Sequence, residues 1–267
     1  MSESPTHDFM LFVPVNQALT NNSFKNIRLV ATDMDGTLTS EGKFTASLLH
    51  ALEDLAENGF SVLIVTGRSA GWVSGLASYL PAAGAIAENG GLFYYREEPV
   101  ALTPIPDFIV HRHQLADVFD QLKAKFPQIQ ESADNSFRLT DWTFDNRNIT
   151  ISELQIMGEL CHEMGWGFTY SSVQCHIKPQ QQDKANGLLK VLAEYFPHVT
   201  PEEVITVGDS PNDESLFDAR YFPVSVGVAN VLEYANQLNH KPAYVTTAAE
   251  GKGFEEVARS LLISVAT

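Results

Sequence analysis

Two aspartates stand two residues apart, Asp33 and Asp35, in the run Ala31-Thr32-Asp33-Met34-Asp35-Gly36-Thr37-Leu38-Thr39. The run follows the apolar stretch Ile27 to Val30 and leads into a glycine turn. At a strand end, i, i+2 spacing puts both carboxylates on one side of the backbone. Like charges held that close cost free energy unless a cation or a shared proton offsets them. A hard divalent ion such as Mg²⁺ removes that cost and leaves one carboxylate oxygen free to attack an electrophile. The competing reading is an acidic turn, which Asp and Gly favour unaided.

Two further motifs sit at the ends of apolar runs. Val65-Thr66-Gly67-Arg68 reads as a strand passing into a turn and then a helix. The Thr66 hydroxyl and the backbone N–H groups of Gly67 and Arg68 suit an anion at a helix N-terminus. A helix cap with a surface arginine is the plainer account. Val207-Gly208-Asp209-Ser210-Pro211-Asn212-Asp213 brings two carboxylates at i, i+4 across a turn. Asp209 and Asp213 would complete a metal site with Asp33 and the Asp35 backbone, although Ser, Asn and Asp also cap helices well. A cation must face any phosphate, and Lys184, at the start of a helix, is the candidate, with Lys178 its rival. The helix dipole disfavours a lysine at a helix start, which argues for a role beyond surface charge.

The elements that hold these motifs alternate. Helical spacing of Leu48, Leu49, Leu52 and Leu55 predicts a helix over Phe44–Asn58, and Phe60–Val65 reads as a strand buried on both faces. A helix over Ser69–Leu80 and a hairpin around Asn89-Gly90-Gly91 follow. Proline clusters flank a different middle region. There, helices are expected about His111–Phe126 and Ser152–Met164, with strands at Phe137–Phe144, Gly167–Ser171 and Gln174–Lys178. After Asp183, helices over Ala185–Phe196, Asn212–Ala219, Val231–Leu238 and Phe254–Val265 alternate with strands at Val204–Val207, Phe222–Val228 and Ala243–Thr246. The expected fold is α/β: a doubly wound, mainly parallel, Rossmann-like core with an inserted α+β domain. The core takes residues 27–96 and 179–267, the insertion 97–178. Residues 1–26 are a loose N-terminal extension with a short ordered stretch around Phe9–Val13. In the insertion, alternation would put Arg138, Thr140 and Trp142 on one strand face, and Gln174, His176 and Lys178 on another. Both faces are expected to be solvated.

A net charge of −16 argues against nucleic acid and against anionic membranes as partners. Two cysteines, Cys161 and Cys175, offer no CxxC spacing, so a reducing cytoplasm is the expected setting. No apolar run is long enough to span a bilayer, and the first ten residues lack the features of a secretory signal.

Taken in order, Asp33-Met34-Asp35-Gly36-Thr37-Leu38, Thr66-Gly67-Arg68, Lys184 and Gly208-Asp209-Ser210-Pro211-Asn212-Asp213 resemble the four motifs of the haloacid dehalogenase superfamily of phosphatases. The insertion between the second and third motifs is similar to the cap of Cof-type, subclass IIB members. Glu88-Asn89-Gly90-Gly91 resembles their turn before the cap, and the resemblance spans Ile27 to Leu262. It implies that Asp33 attacks phosphorus and that Asp35 protonates the leaving oxygen and then activates water. Thr66 and Lys184 would hold phosphoryl oxygens. Mg²⁺ would sit among Asp33, the Asp35 carbonyl and Asp209, with Asp213 positioning a bound water and Asn212 orienting the site. The implied substrate is a small phosphorylated metabolite, a sugar phosphate or phosphorylated sugar acid. A phosphomutase shares the intermediate, and a catalytically silent metabolite-binding protein is the alternative of another class. A dinucleotide-binding oxidoreductase is excluded by the absence of GxGxxG from the first turn.

Overall fold

A computed structural model describes residues 12–95 and 98–266. The strands, in chain order, are β1 Leu29–Thr32, β2 Ser61–Val65, β3 Gly84–Ala87, β4 Leu92–Tyr95, β5 Glu98–Ala101, β6 Trp142–Asp145, β7 Trp166–Tyr170, β8 Gln174–Pro179, β9 Val204–Gly208, β10 Val224–Gly227 and β11 Tyr244–Val245. The α-helices are α1 Gln17–Thr20, α2 Ala46–Glu57, α3 Ala70–Tyr79, α4 Phe108–Lys125, α5 Ile151–Glu163, α6 Lys184–Tyr195 and α7 Glu250–Ala266. The fold is α/β with a mainly parallel sheet. The chain packs as two compact units, one made of Val65–Leu80 with Gly84–Glu194 and the other of the remaining described chain.

In that other unit the strands run in the order β11-β10-β9-β1-β2, all parallel. β1 and β9 are buried along their whole length, in keeping with their largely apolar sequences. Leu29 stands opposite Ser61 on one side and Val204 on the other, so β1 and β9 begin level and Thr32 faces Val207. α2 begins at Thr45, whose hydroxyl accepts the Leu48 N–H, and buries Leu48, Leu52 and Leu55. It packs on α7.

The N-terminal segment is not loose from residue 12 onward. Phe12, Val15, Ala18 and Phe24 are buried, and the Val15 N–H bonds the Val245 carbonyl while the Val245 N–H bonds Val13. The segment thus covers the edge strand β11, whose backbone groups would otherwise lie open. Its apolar anchors are separated by polar residues, which hid them in the sequence. The expected ordered stretch at 9–13 lies partly outside the described residues.

The unit of Val65–Leu80 and Gly84–Glu194 holds the antiparallel strands β3, β4 and β5 and a three-stranded antiparallel sheet in the order β6-β8-β7. Leu115, Phe119, Phe144, Met157, Cys161 and Ile177 are among the residues that form its core. Cys161 and Cys175 are free and buried, and burial pushes the Cys161 thiol up to about 12. This unit is wider than the expected insertion 97–178, because α3 packs on β3 and β4 and α6 packs on the turn between them. Three expected elements differ. The strand over Phe137–Phe144 is a 3-10 turn at Asn135–Phe137, a loop, and then β6. The segments Pro211–Phe217 and Ala229–Tyr234 are 3-10 rather than α-helical.

Candidate active site

β1 and β9 are each followed directly by an aspartate, Asp33 and Asp209. The Asp33 N–H continues the ladder to the Val207 carbonyl at 2.8 Å, and the chain then turns around Met34, whose carbonyl accepts from Thr37, Leu38 and Thr39. Gly36 lies at φ +82°, and a Cβ there would stand 2.5 Å from Asp209 Oδ2. Only glycine allows that turn to approach the second aspartate. Asp33, Asp209 and Asp213 are buried, and one carboxylate oxygen from each lies within 4.8 Å of the others. Thr37 Oγ1 donates to Asp209 Oδ1 at 3.2 Å, and Asn230 Nδ2 donates to Asp209 Oδ2 at 2.9 Å and to the Gly36 carbonyl at 3.1 Å. The Asp209 and Ser210 N–H groups donate to Asp213 Oδ2 at 2.9 and 3.2 Å, so Asp213 caps its turn as well as joining the acidic group. Asn212 is buried and accepts from Ser210 Oγ at 2.9 Å. Asp35 is half-buried outside the three-carboxylate group, since β1 stops at Thr32 before alternation could align it with Asp33. Three buried carboxylates offer hard oxygen donors around concentrated negative charge, and such a set fits a hard divalent cation.

The second motif lies in the other unit. Thr66 N–H donates to the Ile86 carbonyl, the Asn89 N–H donates to the Thr66 carbonyl, and Thr66 Oγ1 accepts from the Arg68 N–H at 3.1 Å. The turn Thr66-Gly67-Arg68 is therefore fixed to the β3–β4 hairpin. Arg68 is half-buried, its guanidinium 4.8 Å from the Trp72 ring centroid. Ser69 makes no side-chain cap for α3. Glu88 Oε1 takes the Ala70 N–H at 2.8 Å instead.

Lys184 opens α6 and is fully buried, unlike a solvated surface lysine. Asp183 caps the helix, Oδ1 accepting the Asn186 N–H at 2.8 Å. Gly90, at φ +99°, lies so close that a Cβ would stand 2.1 Å from the Asp183 carbonyl oxygen. The Asn-Gly turn thus packs on the backbone that carries Lys184. The rival Lys178 is buried too, and its ammonium donates to the Gln182 carbonyl. Burial lowers its pKa.

The solvated faces expected around Arg138 and His176 are instead the buried polar centre of this unit. Arg138 Nη1 donates to both Asp141 oxygens, at 2.9 and 3.0 Å, and to the Gly67 carbonyl at 2.9 Å. His176 Nδ1 lies 2.8 Å from Asp141 Oδ2. Glu88 accepts from the N–H groups of Leu139 and Thr140 and from Thr140 Oγ1, and burial pushes its carboxyl up to about 7. Glu88 was visible in the sequence only as part of a turn motif. A cavity of about 900 Å³ in this unit, lined by Pro104, His111, Gln114, Trp166, Gln180 and Lys190 among others, contains none of the motif residues.

The sequence matches the haloacid dehalogenase-like hydrolase family over residues 30–141 and 121–247. It is 29% identical over 240 residues to phosphoglycolate phosphatase 1 of Saccharolobus solfataricus, covering 88% of this chain and 96% of the relative. Among solved structures, a Thermoplasma acidophilum protein superposes with a TM-score of 0.71 at 18% identity, covering 88% of this chain and 98% of its own. The C-terminal domain of C. albicans trehalose-6-phosphate phosphatase superposes with a TM-score of 0.68 at 16% identity, covering 96% and 99%. With the family match extending across both strand-end aspartate motifs, this chain belongs to the haloacid dehalogenase-like hydrolases.

Proposed function

We propose that this phosphoric monoester hydrolase is a Mg²⁺-dependent phosphatase of a small phosphorylated metabolite and works through an aspartyl-phosphate. The observation that carries the proposal is the buried group of Asp33, Asp209 and Asp213 at the ends of β1 and β9. The cation would be held by these three residues with the Asp35 carbonyl. When bound, it supplies positive charge that offsets the carboxylates and the phosphoryl oxygens.

A carboxylate oxygen of Asp33 attacks phosphorus, the phosphorus–oxygen ester bond breaks, and Asp35 gives its proton to the leaving alkoxide. Asp35 then takes a proton from water, whose oxygen attacks the same phosphorus. Phosphate leaves and the Asp33 carboxylate is regenerated. Thr66, the backbone of Gly67 and Arg68, and Lys184 bind the phosphoryl oxygens, and Asn212 orients the acidic turn. The name of the Saccharolobus solfataricus relative makes 2-phosphoglycolate one substrate to test, and that of the C. albicans domain adds a sugar phosphate.

Phosphate release from 2-phosphoglycolate, sugar phosphates and phosphorylated sugar acids, with Mg²⁺ and with EDTA, tests the proposal. Release that needs the metal and disappears in Asp33→Asn, with circular dichroism unchanged, is expected. Release that survives EDTA, or persists in the variant, would remove the metal or the nucleophile.

A further inference from the structure

His176 has a defined orientation that the reaction above leaves unused. It lies in β8, buried, with Nδ1 2.8 Å from Asp141 Oδ2. Asp141 is gripped by Arg138, whose Nη1 also holds the Gly67 carbonyl. Arg138 Nη2 is anchored in turn by Asp134 Oδ2 and Gln174 Oε1, both at 2.9 Å. One guanidinium therefore ties the imidazole, through Asp141, to the turn Thr66-Gly67-Arg68. The ring comes close to that turn directly: a Cβ on Gly67 would stand 3.1 Å from His176 Cε1.

The protonation of this pair follows from its surroundings. Burial pushes the Asp141 carboxyl up, but Arg138 and His176 outweigh it and hold the group below the usual carboxylate range. Asp141 is thus an acceptor, and His176 presents Nδ1–H to it. Burial depresses the imidazole below its usual value, against the pull of Asp141. Neutral and protonated at Nδ1, the ring carries a bare lone pair at Nε2. Among the described residues no protein group bonds Nε2, and Nε2 is not one of the sealed polar atoms left without a partner. His176 is 1% exposed, and Nε2 lies one bond from the carbon that faces Gly67.

We propose that His176 is a substrate-recognition residue whose Nε2 accepts a hydrogen bond from a hydroxyl on the alcohol portion of the phosphate ester. This rests on the phosphatase reading and narrows it to hydroxyl-bearing esters, such as glycerol or sugar phosphates. An ester with only a carboxylate beside the phosphate, such as 2-phosphoglycolate, brings acceptors toward an acceptor.

The test compares kcat/KM for glycerol 1-phosphate, 2-phosphoglycolate and p-nitrophenyl phosphate in wild type, His176→Ala and His176→Gln with Mg²⁺. His176→Ala should lower the ratio of glycerol 1-phosphate to p-nitrophenyl phosphate by about 10-fold or more, the usual scale for a lost hydrogen bond at a closed site. His176→Gln, whose amide oxygen can accept, should restore part of that ratio. Equal losses on all three esters would show a merely structural role and overturn the proposal, as would a wild type that prefers 2-phosphoglycolate and loses that preference in His176→Ala. Long-range ¹H–¹⁵N NMR gives a readout independent of turnover. Nε2 of wild type should be unprotonated and should shift with glycerol 1-phosphate but not with inorganic phosphate. Failure to hydrolyse any ester would sink the phosphatase reading alone, since the Nε2 shift still decides the recognition: a shift upholds it and no shift overturns it.

Discussion

Replacing Glu88 by glutamine measures what it costs to bury a carboxylate under the hairpin that positions two of the motifs. Its oxygens take the N–H of Ala70 at 2.8 Å, the N–H of Thr140 at 2.6 Å and the Thr140 hydroxyl at 2.7 Å, with Leu139 N–H at 3.1 Å. Burial and the nearby Asp141 charge raise the carboxyl from 4.5 to about 7, although Arg138 and the Thr140 bonds pull the other way. The folded protein therefore binds this proton more tightly than the unfolded chain does. Glu88's contribution to stability is fully present below pH 4.5 and is lost as pH rises to about 7. A gap of about 2.5 in pH, at about 1.4 kcal/mol each, makes the change roughly 3 kcal/mol. Glutamine cannot titrate, so between pH 5 and 8 Glu88→Gln is at its greatest disadvantage to wild type at pH 5 and closes about 2.5 kcal/mol of that deficit by pH 8, the rest of the change lying below pH 5. His111 and His176, both depressed by burial, tilt the two proteins' curves equally in the opposite sense, and the difference removes them. Urea unfolding of both proteins at several pH values between 5 and 8 is the assay. Parallel curves across that range would refute the raised carboxyl.

Gly36→Ala should destabilise the chain by about 1–2 kcal/mol through its left-handed backbone and cost most of the activity, because the new methyl meets Asp209. Melting temperature and kcat together check it. Lys184→Ala should lower kcat about 100-fold or more, the scale of a lost oxyanion donor, whereas Lys178→Ala should chiefly lower stability by leaving the Gln182 carbonyl unpaired. The reverse pattern would exchange their roles. Phe24→Ala should cost about 3–5 kcal/mol, since the ring is fully buried and packs edge-on to Tyr244 at 6.1 Å. A change below about 1 kcal/mol in urea unfolding would return the segment to a loose extension.

The parallel strands and the acidic turns were legible because each is written in consecutive residues. An apolar run ending in Asp-x-Asp-Gly or Gly-Asp-Ser-Pro specifies a strand, a turn and a charge at once, and β1 and β9 end where the runs do. The grade of helix was less legible. Pro211 and the reciprocal Ser210–Asp213 cap start the turn at Pro211–Phe217, but apolar spacing over so short a stretch does not separate 3-10 from α. The N-terminal anchors carry no sequence pattern for a related reason: Val15, Ala18 and Phe24 are spaced for contact with β11 and its surroundings rather than for one face of a regular element.

The buried polar centre was illegible in a deeper sense. The sequence places Arg138, Thr140 and Asp141 in an alternating strand with solvated faces, yet they lie in a loop that closes on Glu88, 52 residues from Thr140, and on Gly67, 71 residues from Arg138. No local pattern announces such pairs, because each partner satisfies the other only after both have left solvent. A buried charge is tolerated where partners are supplied, and here a guanidinium, two carboxylates and an imidazole arrive from three separate segments to supply them. The catalytic motifs have to be contiguous, since short turns at strand ends set their geometry. The groups that orient the substrate need no contiguity, and they are free to be assembled by the fold. That asymmetry is why the hydrolase class was readable from the motifs while the ester proposed for it has to be argued from His176, Asp141 and Arg138.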